Sequence, residues 1–225
     1  MTGFLKDRRF SYGAARRLVQ LGTLIAVLFA LGPGAEVQAR TLKIVALGDS
    51  LTAGLGLPAN EAFPAVLQSA LRAKDYDVAV INAGVSGDTA ADGLARYDWA
   101  TAEGADALIV ELGANDMLRG LKPAGTKKTL ADILDKAKAA NIPVLLAGMR
   151  AAPNLGLDYG RAFDAIYPAL AQKYGAILYP FFLDGVAADP KLNQADGLHP
   201  TAAGVVVIVQ NILPAVEQLL AQAKR

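Results

Sequence analysis

The sequence contains no cysteine and only one histidine, and these absences exclude several kinds of functional site. Without cysteine the chain has no disulfides, no thiolate metal ligands and no cysteine nucleophile. A zinc site built from two or three imidazoles is excluded because His199 is the single histidine. The carboxylates show no spacing typical of a metal site. The sequence therefore predicts neither a metal nor a cofactor.

The chain also lacks a strong excess of charge. It has 22 Lys and Arg against 21 Asp and Glu; five of the basic and two of the acidic residues precede Arg40, so residues 40–225 carry a net charge of about −2. No basic stripe with interleaved aromatic residues is present, so nucleic-acid binding is not expected. Only 7% of residues are aromatic, and the 22 glycines and 53% hydrophobic content indicate a closely packed α/β domain.

Residues 1–39 have the pattern of a secretory signal peptide. Basic residues precede the apolar stretch 18–31, and Val37-Gln38-Ala39 precedes the expected cleavage site. With 14 residues this stretch is shorter than the ~20 needed to span a bilayer, although an uncleaved anchor is the alternative. We expect an exported protein, periplasmic or secreted, without stable membrane insertion, in which residues 40–225 form a single domain. The sequence does not predict its oligomeric state.

From Leu42 onward, apolar segments of strand length alternate with segments of helical periodicity, which is typical of βαβ units and a parallel sheet. The predicted strands cover residues 42–47, 77–81, 106–111, 143–148 and 176–179. The predicted helices cover residues 61–73, 89–99, 127–140, 160–174 and 201–222. We expect an α/β three-layer doubly wound sandwich, with about five parallel strands, helices on both faces and ligands beyond the carboxyl ends of the strands.

Glycines and polar residues cluster directly after the first three predicted strands, where this fold binds ligands. These segments are Gly48-Asp49-Ser50, Asn82 to Asp88 and Gly113-Ala114-Asn115-Asp116. Taken alone, each has an ordinary structural role, because serine, aspartate and asparagine cap helices and glycine supplies turns with positive φ. Their joint occurrence at three strand ends favours a functional site.

Ser50 is the candidate nucleophile, and His199 is the base available to it. A serine needs an adjacent base, and the histidine needs an acid to fix its tautomer. Asp196 lies three residues before His199, close enough to meet it within one turn. A tetrahedral acyl intermediate also needs an oxyanion hole, for which the candidates are the backbone N–H groups of Ser50 and Gly84 and the side-chain amide of Asn115.

Four segments resemble the conserved blocks of the SGNH, or GDSL, hydrolase family. They are Gly48-Asp49-Ser50-Leu51, Gly84, Gly113-Ala114-Asn115-Asp116 and Asp196-Gly197-Leu198-His199-Pro200. Through residues 82–89 and 110–116 the chain most resembles the secreted thioesterase I/lysophospholipase L1/arylesterase group. The resemblance implies a flavodoxin-like fold, Ser50 as nucleophile, His199 as base and then acid, Asp196 as its orienting acid, and the same oxyanion hole.

The resemblance also implies a loop that moves over the acyl chain after the third block. Here that loop is Met117-Leu118-Arg119-Gly120-Leu121. Its apolar residues Met117, Leu118 and Leu121 suit an acyl group, but they could equally form the first turn of a buried helix. We expect a serine esterase or thioesterase that hydrolyses short-to-medium acyl esters or thioesters through an acyl-enzyme intermediate, with lysophospholipids as a further candidate substrate.

Other functions fit fewer of these features. An ordinary α/β-hydrolase has its serine in G-x-S-x-G, whereas Thr52 occupies the second position after Ser50. Residues 54–59 fit the dinucleotide pattern G-x-G-x-x-A, but they do not follow the strand directly, and Pro58 lies where the helix should begin. A carbohydrate acetylesterase on the same fold and an exported non-catalytic binding protein are the alternatives.

Overall fold

Five parallel strands form one sheet, and the direction in which the chain adds strands reverses within it. The strands are β1 (Leu42–Gly48), β2 (Val78–Gly84), β3 (Ala107–Glu111), β4 (Val144–Ala147) and β5 (Ile177–Tyr179). Their spatial order is β2-β1-β3-β4-β5, so β2 and β3 lie on opposite sides of β1. The computed structural model describes residues 1–3 and 40–223; most of the predicted signal peptide therefore lies outside the described residues.

Helices cover the sheet in two groups. The helices are α1 (Ser50–Ala53), α2 (Phe63–Arg72), α3 (Ala90–Ala95), α4 (Tyr97–Thr101), α5 (Ala114–Leu118), α6 (Pro123–Ala139), α7 (Leu157–Asp164), α8 (Ile166–Tyr174) and α9 (Ala202–Ala223). In one group α2 packs against α9, and in the other α6 packs against α3, α7 and α8. The three-layer doubly wound sandwich expected from the sequence is confirmed.

The burial of the strands explains their sequence pattern. All five residues of β3 and all four of β4 are buried, as are the last five residues of β1. A parallel strand with helices on both faces is apolar on both faces, so these segments read as continuous hydrophobic runs. In contrast, β2 lies at an edge of the sheet and exposes Ile81 and Asn82.

The short helices α1 and α5 are not among the predicted helices, and three of the predicted helices differ clearly in extent. The predicted helix 89–99 is two helices, α3 and α4, separated at Arg96, where φ is −104° and ψ is 8°. The predicted helix 160–174 is likewise divided, at Ala165. The helix predicted to begin at residue 127 begins at Pro123, because proline suits the first turn of a helix. The two breaks fall at Arg96 and Ala165, and neither residue is a glycine or a proline that would mark a break in the sequence.

Among the described helices, α9 is long and apolar enough to cross a membrane by length and composition alone. Its buried residues include Val205, Ile208, Ile212 and Val216, which belong to the hydrophobic core. The helix also packs against α2 and the strands β3, β4 and β5. The apolar character of α9 is therefore explained by its place in the core.

Arg96 joins the carboxyl ends of the first two strands. Its guanidinium donates to the carbonyl oxygens of Gly48 and Ala83, at 2.7 Å each, and its Nε donates to Asp88 Oδ2 at 2.6 Å. The Arg96 and Asp88 side chains are both mostly buried. One side chain thus holds the end of β1, the end of β2 and the loop that follows β2.

We expect the substitution Arg96→Met to lower the free energy of unfolding by about 2–3 kcal/mol, because two carbonyls and a buried carboxylate lose their donor. Urea unfolding measures the change. The matched control is Arg161→Met, since the Arg161 side chain is 76% exposed in its ion pair with Asp158. That control should change stability by less than about 0.5 kcal/mol. Equal losses in the two variants would contradict the role given to Arg96.

Candidate active site

A cavity of about 540 Å³ lies at the carboxyl end of β1, where the order of the strands reverses. Doubly wound sheets bind their ligands at this point, and the volume is within the range of roughly 300–1,000 Å³ typical of small-molecule sites. Most of the lining is apolar. The charged or titratable side chains in the lining are Asp49, Arg150 and His199.

Ser50 is the first residue of α1 and lines this cavity. Asp49 precedes it as the N-cap residue, and Asp49 Oδ1 accepts the Leu51 N–H at 3.0 Å. This cap satisfies one of the amide groups that the first turn of a helix leaves without an intrahelical partner. The turn therefore fixes the position of Ser50 through the backbone on both sides of it.

Two glycines allow α1 to lie directly against the sheet. A Cβ atom at Gly48 would stand 2.0 Å from Thr52 Oγ1, and a Cβ atom at Gly84 would stand 2.3 Å from the backbone nitrogen of Ala53. Both distances are far inside van der Waals contact. Any side chain at either position would displace α1, and with it the serine.

His199 connects Ser50 to Asp196. The Nε2 atom of His199 lies 2.9 Å from Ser50 Oγ, and its Nδ1 atom lies 2.6 Å from Asp196 Oδ2. The other carboxylate oxygen of Asp196 accepts the backbone N–H groups of Leu198 and His199, at 2.9 and 3.0 Å. The structure therefore brings together the three side chains that the sequence predicts as nucleophile, base and acid.

Hydrogen bonds keep the Asp196 carboxyl ionised. The backbone N–H groups of His199 and Leu198, followed by the imidazole of His199, lower the pKa of Asp196 to about 2. Each of these donors favours the charged form of the carboxylate. At neutral pH the charged carboxylate can therefore fix a hydrogen on Nδ1 of His199, which leaves Nε2 free to accept one from Ser50.

Gln194, which the sequence analysis missed, holds the histidine loop in place. Its side-chain amide donates to the carbonyl oxygens of Leu55 and Pro200, at 2.7 and 2.9 Å, and its backbone N–H donates to the carbonyl of His199 at 2.7 Å. Gly56 provides the space, since a Cβ atom there would stand 2.3 Å from Gln194 Oε1. No motif marks this residue in the sequence.

Asn115 also lines the cavity, from the first turn of α5. Its amide nitrogen donates to Asp49 Oδ2 at 3.1 Å and to the carbonyl of Asp88 at 3.0 Å. Two acceptors therefore orient the amide. An amide group carries two hydrogens, and here each of them has one acceptor.

Gly84 does not occupy the position predicted for an oxyanion donor. It is absent from the cavity lining, and its N–H donates to Asn82 Oδ1 at 3.0 Å. Gly87, three residues later, does line the cavity, with a φ of 91°. Within residues 40–223 the Gly87 N–H has no hydrogen-bond acceptor, whereas its carbonyl accepts from Arg119 at 2.7 Å. The turn between the two glycines directs the chain towards the cavity only after Gly84.

The three residues predicted to contact an acyl chain do not share one environment. Met117 and Leu118, at the end of α5, line the cavity. Leu121 does not line the cavity, and its carbonyl accepts a hydrogen bond from the Tyr159 hydroxyl at 2.9 Å. Gly120, with a φ of 63°, lies in the turn that separates Leu121 from α5.

Two fully buried carboxyls lie under the Ser50 turn. Burial raises the pKa of Asp49 to about 6, although the Leu51 amide, His199 and Asn115 oppose the shift. Burial, together with the charge of Asp49, also raises the pKa of Glu111 well above its usual value. Among the described residues, no group of three carboxylates or imidazoles is arranged to hold a metal ion.

We expect the two aspartates of the site to titrate far apart. Burial disfavours the charged form of Asp49, so its carboxyl carbon resonance should titrate near pH 6, against ~3.9 for an ordinary aspartate. Asp196 should stay ionised down to about pH 2. Carbon-13 NMR of the side-chain carboxyls measures both in one sample, with Asp196 as the internal control. A titration of Asp49 near pH 4 would contradict its desolvation.

Comparisons with known proteins identify related sequences along most of the chain. The GDSL-like Lipase/Acylhydrolase family matches residues 46–206. The esterase TesA of Pseudomonas aeruginosa is 42% identical over 206 residues, which cover 91% of this chain and all of that protein. The thioesterase 1/protease 1/lysophospholipase L1 of Escherichia coli is 43% identical over 158 residues, which cover 70% of this chain and 74% of that protein.

A solved structure agrees as well. The crystal structure of AlinE4, described as an SGNH-hydrolase family esterase, superimposes with a TM-score of 0.69 at 49% sequence identity. The superposition covers 81% of this chain and 98% of AlinE4. The resemblance found in the four sequence segments is thus confirmed along most of the described fold, and the chain belongs to the GDSL-like lipase/acylhydrolase family.

Proposed function

We propose that this protein is a serine hydrolase that cleaves carboxylic esters and thioesters through an acyl-enzyme intermediate. The observation that carries the proposal is the continuous series of contacts from Ser50 to His199 to Asp196 at an apolar cavity. A serine, a base and an orienting acid in this order are the parts that acyl transfer requires.

The distances support a specific sequence of proton transfers. His199 Nε2 accepts the proton of Ser50 as Oγ attacks the substrate carbonyl, and Asp196 stabilises the resulting imidazolium through Nδ1. The imidazolium then protonates the leaving alcohol or thiol. In the second half, His199 takes a proton from water, which attacks the acyl-enzyme, and returns it to Ser50. Acylation and deacylation each begin with the neutral imidazole.

For the oxyanion hole we propose the backbone N–H groups of Ser50 and Gly87 and the side-chain amide of Asn115. Gly87 replaces Gly84 in this assignment, because Gly87 lines the cavity and its amide has no acceptor within residues 40–223. One of the two amide hydrogens of Asn115 would be shared between the substrate oxygen and the acceptor that it now contacts, which is either Asp49 Oδ2 or the Asp88 carbonyl. Preorganised donors of this kind stabilise the charge that develops in the transition state.

The lining of the cavity supports short-to-medium acyl groups. Leu55, Met117, Leu118, Phe181 and Leu183 supply apolar side chains, and the relatives are named as an esterase, an arylesterase and a thioesterase/lysophospholipase. A carbohydrate acetylesterase would need more polar groups to bind sugar hydroxyls. We therefore favour small-molecule acyl esters and thioesters over acetylated sugars.

We also propose that the enzyme is exported and that residues 40–225 form its single domain. The signal-peptide pattern of residues 1–39 supports export, although residues 4–39 lie outside the described structure. Residues 40–223 belong to one compact unit, which supports the domain assignment. The near-neutral net charge of residues 40–225 supports the expectation that the enzyme does not bind nucleic acid.

The serine and the histidine should both be required for turnover. We expect Ser50→Ala and His199→Ala to lower kcat on p-nitrophenyl butyrate by roughly 10⁴- to 10⁶-fold, and Asp196→Ala to lower it less, because the acid orients the base and does not itself transfer a proton. Ser69→Ala is the matched control, since within residues 40–223 the Ser69 hydroxyl donates a hydrogen bond only to the Ala65 carbonyl of the same helix, α2. Full activity in Ser50→Ala would exclude the hydrolase proposal.

The acyl-binding surface can be tested with two leucines of one segment. We expect Leu118→Gln to lower kcat/KM for p-nitrophenyl octanoate by roughly 5- to 10-fold and to change acetate hydrolysis little, because a polar group then meets the distal acyl carbons. Leu121→Gln is the control, since Leu121 lies outside the lining. Wild-type rates from acetyl to palmitoyl esters should peak at short-to-medium chains. A strong preference for acetylated sugars would overturn this substrate class.

A further inference from the structure

We propose that Glu111 is a positioning residue of this hydrolase, held as a neutral carboxylic acid beneath the turn that carries Ser50. Glu111 does not line the cavity, so it touches neither substrate nor the reacting atoms. Its role would be to fix α1 against the end of β3. The inference rests on the proposed function, because it concerns the distance between the nucleophile and an oxyanion donor.

The contacts of Glu111 are with the Ser50 turn. Glu111 is the last residue of β3 and pairs in register with Gly48, the last residue of β1. Its Oε2 atom lies 2.7 Å from Thr52 Oγ1 and 3.4 Å from the backbone nitrogen of Asp49. A Cβ atom at Gly48 would stand 2.7 Å from the same oxygen. The absence of a side chain at Gly48 therefore allows the carboxyl to reach the turn.

The surroundings of Glu111 favour its neutral form. The side chain is fully buried, and within residues 40–223 its Oε1 atom has no hydrogen-bond partner and no lysine or arginine forms an ion pair with it. Its charged neighbour is another acid, Asp49, and the buried hydroxyl of Tyr167 is also nearby. If Glu111 were ionised, its Oε1 atom would carry charge without contact to solvent or to a hydrogen-bond donor. If Glu111 is a neutral acid, the same buried atom carries no net charge, which costs less free energy.

The position of Glu111 connects the nucleophile to Asn115. Through Thr52 and Asp49 it contacts the helix that begins with Ser50, and Asn115 follows four residues later on the same chain. Asn115 in turn donates to Asp49 Oδ2. A neutral Glu111 leaves Asp49 as the charged partner of that amide. Loss of the carboxyl would therefore let the turn shift relative to the oxyanion donor.

The test compares two substitutions at Glu111. We expect Glu111→Ala to lower kcat on p-nitrophenyl butyrate by roughly 10- to 100-fold with little change in KM, because a displacement of about 1 Å at reacting atoms can cost 10²-fold. Glu111→Gln should restore kcat to within about 3-fold, since an amide has one acceptor oxygen and one donor group, as a neutral acid does. A charged Glu111 could not be replaced in this way.

Infrared difference spectroscopy detects directly whether the Glu111 carboxyl carries a proton. At neutral pH the wild type should show the carbonyl stretch of a protonated carboxylic acid, and Glu111→Gln should lack that band. This measurement does not depend on activity. It therefore separates a failure of this inference from a failure of the proposed function, which would appear as an inactive wild type.

A second variant covers the case in which Glu111→Ala does not fold. Thr52→Val removes the hydroxyl that contacts Glu111 and keeps the shape of the side chain, and it should also lower kcat while KM is maintained. Thr101→Val is the matched control, because within residues 40–223 the Thr101 hydroxyl, on the last residue of α4, donates a hydrogen bond only to the Tyr97 carbonyl. Equal activity of Glu111→Ala and the wild type, equal loss in Glu111→Gln and Glu111→Ala, or absence of the infrared band would each overturn the proposal.

Discussion

The close approach of α1 to the ends of β1 and β2 is the constraint on which the site depends. Gly48 and Gly84 present no side chain to this helix, so its backbone and Thr52 pack directly on the sheet. That contact places Ser50 at the point where the strand order reverses and within 2.9 Å of His199. The glycine that the sequence marks as an oxyanion donor, Gly84, is thus explained by packing.

The acidic residues near Ser50 differ in whether a basic residue pairs with them. Arg96 neutralises Asp88 and holds two strand ends, whereas Asp49 and Glu111 form no ion pair with a lysine or arginine within residues 40–223. Backbone and amide donors offset part of the cost of burying Asp49. The charge of His199 also favours ionisation of Asp49, so the two interact. An imidazolium formed during turnover would be stabilised by Asp49 below as well as by Asp196 beside it.

The sequence predicts the sheet well because buried parallel strands appear as long apolar runs. It identifies His199 as the candidate catalytic base because this residue is the single histidine of the chain. The sequence does not predict the role of a residue where that role depends on the path of the backbone. Gly84 and Gly87 are both glycines in the polar segment that follows the second strand, so the sequence does not distinguish them. The turn between them brings Gly87, and not Gly84, to the cavity. Gln194 leaves no periodic or motif signal, since the Leu55 carbonyl that it binds lies 139 residues away.

The loop 194–200 has a consequence for how activity is lost. It carries both His199 and Asp196, and hydrogen bonds within the loop and to Leu55 close it. Segments of this kind open locally at a lower free-energy cost than the unfolding of a sheet. One such opening removes the base and its acid from Ser50 together, while the serine stays on the sheet. The upper working temperature of the enzyme would then be set by the fraction of molecules with a closed loop, below the temperature at which the domain unfolds.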